Sequence, residues 1–132
     1  MMFLRSLLLA VLVLSILPLV HANDVIETPD GEYFKGVGHI GVRIFLNPDN
    51  TYSTVTRDKA LKIEASHGKW SIKKDIIIFS RNLEDNRPHH PVEPMILVTY
   101  KGQRALVPLS SKAAYLKSDE EFWKNNLVYV EQ

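Results

Sequence analysis

The segment from Gly38 to Phe79 reads as a series of short β-strands joined by tight turns, and this pattern limits the fold more than any other feature of the chain. Apolar side chains alternate along its first strand, at Ile40, Val42, Ile44 and Leu46. A period of two residues is typical of a strand with one buried face. The following Asn47-Pro48-Asp49-Asn50 predicts a type I turn in which Asn50 takes the left-handed conformation that closes a bulged hairpin.

The next strands follow at short spacing. Thr51 to Thr56 is rich in β-forming residues and predicts a returning strand with Tyr52 as its inward anchor. Ile76 to Phe79 is apolar on both faces, which predicts either a central strand or one whose outer side is covered.

The parity of the apolar residues changes between these two strands. Ile63 and Ala65 are at odd-numbered positions, whereas Trp70 and Ile72 are at even-numbered positions, so the two pairs would point to opposite faces of one regular strand. Because a strand face can change parity only through an extra residue, we expect a β-bulge at His67-Gly68.

The second half of the chain contains a long loop, more strands and a helix. Arg81 to Pro94 has no periodicity and three prolines, which is typical of a loop that is functional or mobile. Ser118-Asp119-Glu120-Glu121 is a capping box that predicts a short helix through about Asn125. Further extended segments are predicted at Met95–Tyr100, Arg104–Val107 and Leu127–Val130.

Together these elements predict a mainly β domain over residues 23–132. About six or seven short strands with tight hairpins suit a small antiparallel β-barrel or a sandwich with a short C-terminal helix. We expect that helix to cover either one open end or one face of the strands.

Residues 1–22 have the features of a secretory signal peptide. Arg5 precedes the almost entirely apolar run from Ser6 to Val20, and Val20-His21-Ala22 places small residues at the two positions that a signal peptidase inspects. We predict cleavage after Ala22. The alternative, an uncleaved membrane anchor, is disfavoured because the apolar run is short against the roughly 20 residues that span a bilayer.

Charge and cysteine content narrow the class of protein. Without residues 1–22 the chain has 15 basic and 15 acidic residues, so its net charge is zero with histidine neutral. A neutral domain has no general attraction for nucleic acid or anionic lipid. The chain has no cysteine, so we expect neither disulfides nor a lipidated cysteine. These features predict a periplasmic or secreted protein with no stable membrane anchor after cleavage.

Two motifs in the strand pattern are similar to those of small exported bacterial β-domains. Leu46 to Tyr52 resembles their L-x-x-D-G-T-Y hairpin, and Gly68 to Ile78 resembles their G-x-W-x-x-x-x-D-x-I-x-L strand pair. These motifs occur in lipocalin-like domains, including those that resemble the N-terminal barrel of copper-stress envelope lipoproteins. The resemblance implies a lipocalin-like meander and transfers no functional residue. Asn50 stands where glycine is usual, and the lack of a cysteine pair excludes metal sensing through thiols.

The cluster most suggestive of a metal site is His89-His90, bracketed by Pro88 and Pro91 and followed by Glu93. Imidazole and carboxylate ligands suit zinc or copper. However, adjacent residues of an extended chain point in opposite directions, and the sequence identifies no third ligand. A solvated loop is the competing interpretation, and we predict no cofactor.

Aromatic residues offer a second candidate site. Phe45, Tyr52 and Trp70 could line a ligand cavity, as in lipocalin-like barrels. The competing interpretation places Tyr52 and Trp70 in the core, which we favour because barrels of few strands are filled by side chains. Phe45 points outward and, with Ile76 to Phe79, marks either a partner surface or a face covered by the C-terminal helix.

The remaining polar residues give little support for catalysis. Glu84-Asp85 lies beside Arg81 and Arg87, a pattern typical of a solvated, self-paired charge run. No Gly-x-Ser-x-Gly elbow, His-Glu-x-x-His or phosphate-binding glycine loop occurs in the chain.

The sequence therefore favours an exported, non-enzymatic binding or interaction module of the bacterial cell envelope. The leading hypothesis is an envelope protein partner that binds the Arg81–Pro94 loop or a face that includes Phe45. The alternative is a lipocalin-like carrier of a small apolar ligand. An enzyme whose site is assembled from separate strands is a more distant alternative.

Overall fold

The computed structural model describes residues 28–132, so the predicted signal peptide, residues 1–22, lies outside the described part of the chain. Eight antiparallel strands form a closed barrel in which each strand pairs with the next along the chain and the last pairs with the first. The strands are β1 Gly31–Val37, β2 Ile40–Leu46, β3 Thr51–Arg57, β4 Ile63–Lys73, β5 Ile76–Ser80, β6 Met95–Tyr100, β7 Gln103–Pro108 and β8 Tyr129–Glu131. The predicted small β-barrel is confirmed, and the sandwich alternative is excluded.

Two short helices connect β7 to β8. They follow a 3₁₀ turn at Leu109–Ser111 and comprise α1 Lys112–Lys117 and α2 Asp119–Lys124. Among the residues that the structure describes, no helix is both long and apolar enough to span a membrane.

The barrel interior is filled at one end by large side chains that alternate along the strands. Tyr52 and Trp70 are both buried there, at 1% and 7% exposure, and the Trp70 indole N–H donates to the carbonyl of Asn47 at 3.0 Å. The other buried members of this core are Tyr33, Ile44, Leu46, Ile77, Met95 and Leu106. The prediction that Tyr52 and Trp70 fill the core is confirmed.

A second apolar cluster lies outside the barrel. Ile96 on β6 and Val107 on β7 point outward and pack with Tyr115 of α1 and Val128. Phe122 and Trp123 of α2 pack against the same cluster. The helices therefore cover one outer face rather than an open end, which explains why the C-terminal strands are apolar on both sides.

The structure corrects the predicted β-bulge. β4 pairs with β3 and with β5 in unbroken register, from Arg57↔Ile63 to Thr51↔Lys69 on one side. Ile63 points outward and is 62% exposed, because the inward positions before Gly68 carry polar side chains instead. The predicted bulge at His67-Gly68 was wrong because apolar residues do not mark the inner face along the whole of β4.

Gly68 has a different role from the one predicted. It lies directly opposite Tyr52, whose ring covers it. A Cβ atom at this position would stand 2.4 Å from the carbonyl oxygen of Ser80 and 2.6 Å from the Tyr52 ring. Glycine is therefore required by close packing rather than by an extra residue in the strand.

The predicted turn between β2 and β3 is confirmed, whereas the predicted capping box at Ser118 is wrong. Asn50 has a φ of 66° and its N–H donates to the carbonyl of Asn47 at 3.1 Å, as predicted for the hairpin between β2 and β3. Ser118 is the N-cap of α2, but its side chain makes no capping hydrogen bond. The carboxylate of Glu121 instead accepts a hydrogen bond from Asn125, so the predicted capping box is not formed.

Because successive strands run in opposite directions, their connections alternate between the two ends of the barrel. The β2–β3, β4–β5 and β6–β7 hairpins share one end, here called the closed end. There Arg104 donates to the carbonyl of Thr28 at 2.7 Å and pairs with Glu131 at 2.5 Å, while the Tyr33 hydroxyl donates to the carbonyl of Pro29. The β1–β2 hairpin, the β3–β4 turn and the 81–94 loop share the opposite end, here called the open end.

Candidate ligand-binding cavity

A cavity of about 280 Å³ enters the barrel from the open end. Its floor is formed by Ile44, Thr54, Ser66 and Met95, which belong to β2, β3, β4 and β6. All four are nearly inaccessible to solvent. The floor therefore combines two apolar side chains with two hydroxyl groups inside the barrel.

The two hydroxyl groups differ in their hydrogen bonding. The Ser66 hydroxyl accepts a hydrogen bond from the backbone N–H of His90 at 2.7 Å. Thr54 is 9% exposed, and its hydroxyl makes no hydrogen bond with any residue between 28 and 132. The Thr54 hydroxyl is not a fully buried unsatisfied group, since Arg57 Nε is the only such side-chain atom among residues 28–132. It faces the cavity, where a bound molecule would replace water as its hydrogen-bond partner.

The mouth of the cavity carries charged side chains. Glu64 of β4 and Glu93 of the 81–94 loop line it together with His90. The Glu64 carboxylate lies 3.1 Å from Lys62 Nζ in an exposed ion pair. The Glu93 carboxylate accepts a hydrogen bond from the Ser110 hydroxyl at 3.0 Å.

Tyr129 forms part of the wall between the mouth and the core. Burial raises the pKa of its phenol, and the negative charge of Glu93 raises it further. The Lys35 ammonium group lies 5.1 Å from the centre of its ring.

The last part of the 81–94 loop builds one side of the cavity. β5 ends at Ser80, and only two pairs of residues join it to β6, which leaves the first half of β4 without a strand neighbour on that side. The loop occupies this position, because the His67 N–H donates to the carbonyl of Pro88 at 3.0 Å and Ser66 holds His90. Val92 then packs against the interior core.

The three candidate metal ligands, His89, His90 and Glu93, do not converge on one site. His89 Nδ1 lies 3.2 Å from the carbonyl oxygen of His67 and 3.4 Å from the Tyr52 hydroxyl, whereas His90 and Glu93 lie at the cavity mouth. Within residues 28–132, no group of three or more histidine, aspartate or glutamate side chains is arranged to hold a metal ion. The loop histidines instead attach the loop to β3 and β4.

The aromatic candidates also lie away from the cavity. Tyr52 and Trp70 belong to the core, where Tyr52 packs edge-on against Phe79 at 4.9 Å. Phe45 points outward from β2 and is half-buried. None of the three lines the cavity.

Sequence reasoning missed the residues that do line the cavity. Thr54 and Thr56 on β3 lie beside Ser66 and Glu64 on β4, and all four point inward. Polar side chains at consecutive inward positions of paired strands are the signal that could have identified a solvent-accessible interior.

Comparisons of the chain with protein-family models, with curated proteins and with solved structures find no match in any of the three.

Proposed function

We propose that this chain is an exported, non-enzymatic binding protein that holds a small, partly polar molecule in the cavity at the open end of its barrel. The observation that carries the proposal is the accessible cavity itself, whose floor combines the apolar side chains of Ile44 and Met95 with the hydroxyl groups of Thr54 and Ser66. An eight-stranded barrel has enough interior space for one small ligand. The mixed lining favours a ligand more polar than the small apolar one considered as an alternative in the sequence analysis.

The size of the cavity restricts the ligand. Pockets for drug-sized molecules have volumes of roughly 300–1,000 Å³, so about 280 Å³ suits a short chain or a single ring. Export to the periplasm or the medium rests on the apolar and cleavage-site features of residues 1–22.

Native mass spectrometry of the protein exported with its own signal tests this proposal. The wild type is expected to carry a small organic molecule that dissociates on activation. Thr56→Phe, which places a ring in the cavity mouth, should abolish the extra mass. Ser53→Phe, on the same strand but pointing outward, should retain it. Retention of the same mass by Thr56→Phe would contradict a ligand in this cavity.

A second candidate function, interaction with an envelope protein, is favoured by the surface around the mouth. Five of the nine large exposed apolar side chains between residues 28 and 132 lie at the open end, either in its loops or at the strand ends beside them. Leu83 is 87% exposed in the 81–94 loop and Val37 is 72% exposed beside the β1–β2 hairpin. The other three are Ile40, Leu61 and Ile63. A ring of apolar residues around one opening suits a partner that seats on it.

Photocrosslinking in the intact envelope distinguishes this second candidate. A crosslinker at Leu83 should give one adduct of defined mass, and the same adduct should disappear when Leu61→Asp is added. A crosslinker at Ile78, an exposed apolar residue outside the open end, should give none. Equal adducts from both positions would indicate nonspecific contact.

A further inference from the structure

The lining of the cavity changes from apolar at its floor to acidic at its mouth. From this arrangement we propose that the ligand is a small organic cation. Its amine group lies at Glu64 and Glu93, its apolar body lies against Ile44 and Met95, and a hydrogen-bonding group at its inner end reaches Thr54. This inference rests on the proposed function and specifies the chemical class of the ligand.

The floor supports an apolar body with one polar contact. Ile44 is 1% exposed and Met95 is 2% exposed, so both offer desolvated apolar contact. Thr54 lies on β3 between Ile44 on β2 and Ser66 on β4, directly opposite both. Its hydroxyl faces the cavity, so a ligand group that donates to it or accepts from it replaces water there.

The mouth supports a positive charge. Glu64 and Glu93 are the carboxylates that line it, and the described lining includes no lysine or arginine. Lys62 pairs with Glu64, but both side chains are more than half exposed, so the pair is weak and leaves the carboxylate available. Lys35 is directed over the Tyr129 ring. Acidic groups that line an opening attract a cation and repel an anionic ligand.

Three probes of equal chain length separate charge from size. These are 6-aminohexan-1-ol, hexane-1,6-diol and 6-hydroxyhexanoate, which share a hydroxyl for the inner end and differ in the group at the mouth. Affinity is measured by titration at neutral pH and low ionic strength, with amide chemical shifts recorded to locate each probe. The amine is expected to bind about tenfold more tightly than the diol, and the carboxylate more weakly than the diol.

Variants assign this preference to named groups. Glu64→Gln and Glu93→Gln should each lower the affinity for the amine several-fold. Glu84→Gln removes an exposed acid of the same loop that does not line the cavity, and it should leave that affinity unchanged. Thr54→Val, which replaces the hydroxyl by a methyl group of similar size, should weaken all three probes.

The outcomes separate this inference from the proposed function. Equal binding of the amine and the diol in the cavity, or tighter binding of the carboxylate, would overturn the cationic ligand and leave a binding cavity in place. An equal effect of Glu84→Gln and Glu64→Gln would also overturn it, because the preference would then reflect overall charge. Failure of all three probes to shift any cavity amide would count against both the inference and the proposed function.

Discussion

At the scale of the residue, Trp70 is the clearest anchor of the closed end. Its side chain is 7% exposed and its indole N–H is bonded to Asn47. Trp70→Ala should lower the free energy of unfolding by roughly 3–5 kcal/mol, the usual cost of truncating a large core aromatic residue. Chemical denaturation measures this change. A loss below about 1 kcal/mol would show that Trp70 is not part of the core.

Tyr33 gives the fold a dependence on alkaline pH. Burial raises the pKa of its phenol from 10.0 to about 12, with the negative charges of Glu131 and Asp30 acting in the same direction and Arg104 opposing them. Between these two pKa values the unfolded chain releases a proton that the folded chain retains. Stability that is fully present below pH 10 should therefore decline as the pH rises toward about 12.

The matched variant for this prediction is Tyr33→Phe, which has no phenol to titrate. Denaturation curves of the wild type and Tyr33→Phe should diverge in slope against pH above 10, with the wild type losing stability faster. Parallel slopes would show that the pKa of Tyr33 does not differ between the folded and unfolded states.

Individual residues show where sequence reasoning succeeds. Tyr52 and Trp70 were predictable as core because large aromatic residues on alternating strands have few other places to go. The inward position of Thr54 and Ser66 was not predictable, because a polar residue in a strand is expected to face solvent unless its neighbours across the sheet are known. Their inward position follows from pairing with β2 and β4, which the local sequence does not contain.

At the scale of the element, the 81–94 loop is an ordered wall, and Ser66 is its attachment point. Ser66→Ala removes the acceptor for the His90 N–H and should free the end of the loop. Hydrogen exchange at the His90 amide should accelerate, together with exchange at the His67 amide that pairs with Pro88. Ser71→Ala, at an exposed serine of the same strand, should leave both rates unchanged. Equal rates in wild type and Ser66→Ala would show that other contacts hold the loop.

The helices α1 and α2 stabilise the outer face of the C-terminal strands. Tyr115 is 5% exposed and packs edge-on against Phe122 at 5.5 Å. Tyr115→Ala should cost roughly 2–4 kcal/mol in unfolding free energy, because it uncovers Ile96 and Val107. Leu116→Ala, next to it but 70% exposed, should change stability by less than about 0.5 kcal/mol. Similar losses in both variants would contradict this packing.

Element boundaries were predictable where turn chemistry is strong. The Asn47–Asn50 hairpin was recognised from its residues, and α2 from the Ser118–Glu121 pattern, although the capping box that this pattern predicts is not formed. The continuity of β4 was not predictable from the sequence. Its inward positions change from Trp70 and Gly68 to Ser66 and Glu64 as the strand passes from the core to the cavity. The change in polarity reflects a change in environment along one strand.

At the scale of the whole molecule, closure depends on contacts between distant parts of the chain. β1 meets β8 through Phe34↔Val130 and Tyr33↔Glu131. A meander of hairpins could equally have formed two packed sheets, so local patterns left barrel and sandwich as alternatives. The closed barrel places a filled core at one end and an accessible interior at the other.

The central claim is that this interior is a binding site at the open end. Two-dimensional NMR with a set of small polar fragments tests it most directly, because each amide reports its own surroundings. We expect fragments to shift the amides of Thr54, Thr56, Ser66 and His90, while those of Tyr52 and Trp70 change little. Shifts confined to the outer face, or to the closed end, would show that the cavity is not the binding site.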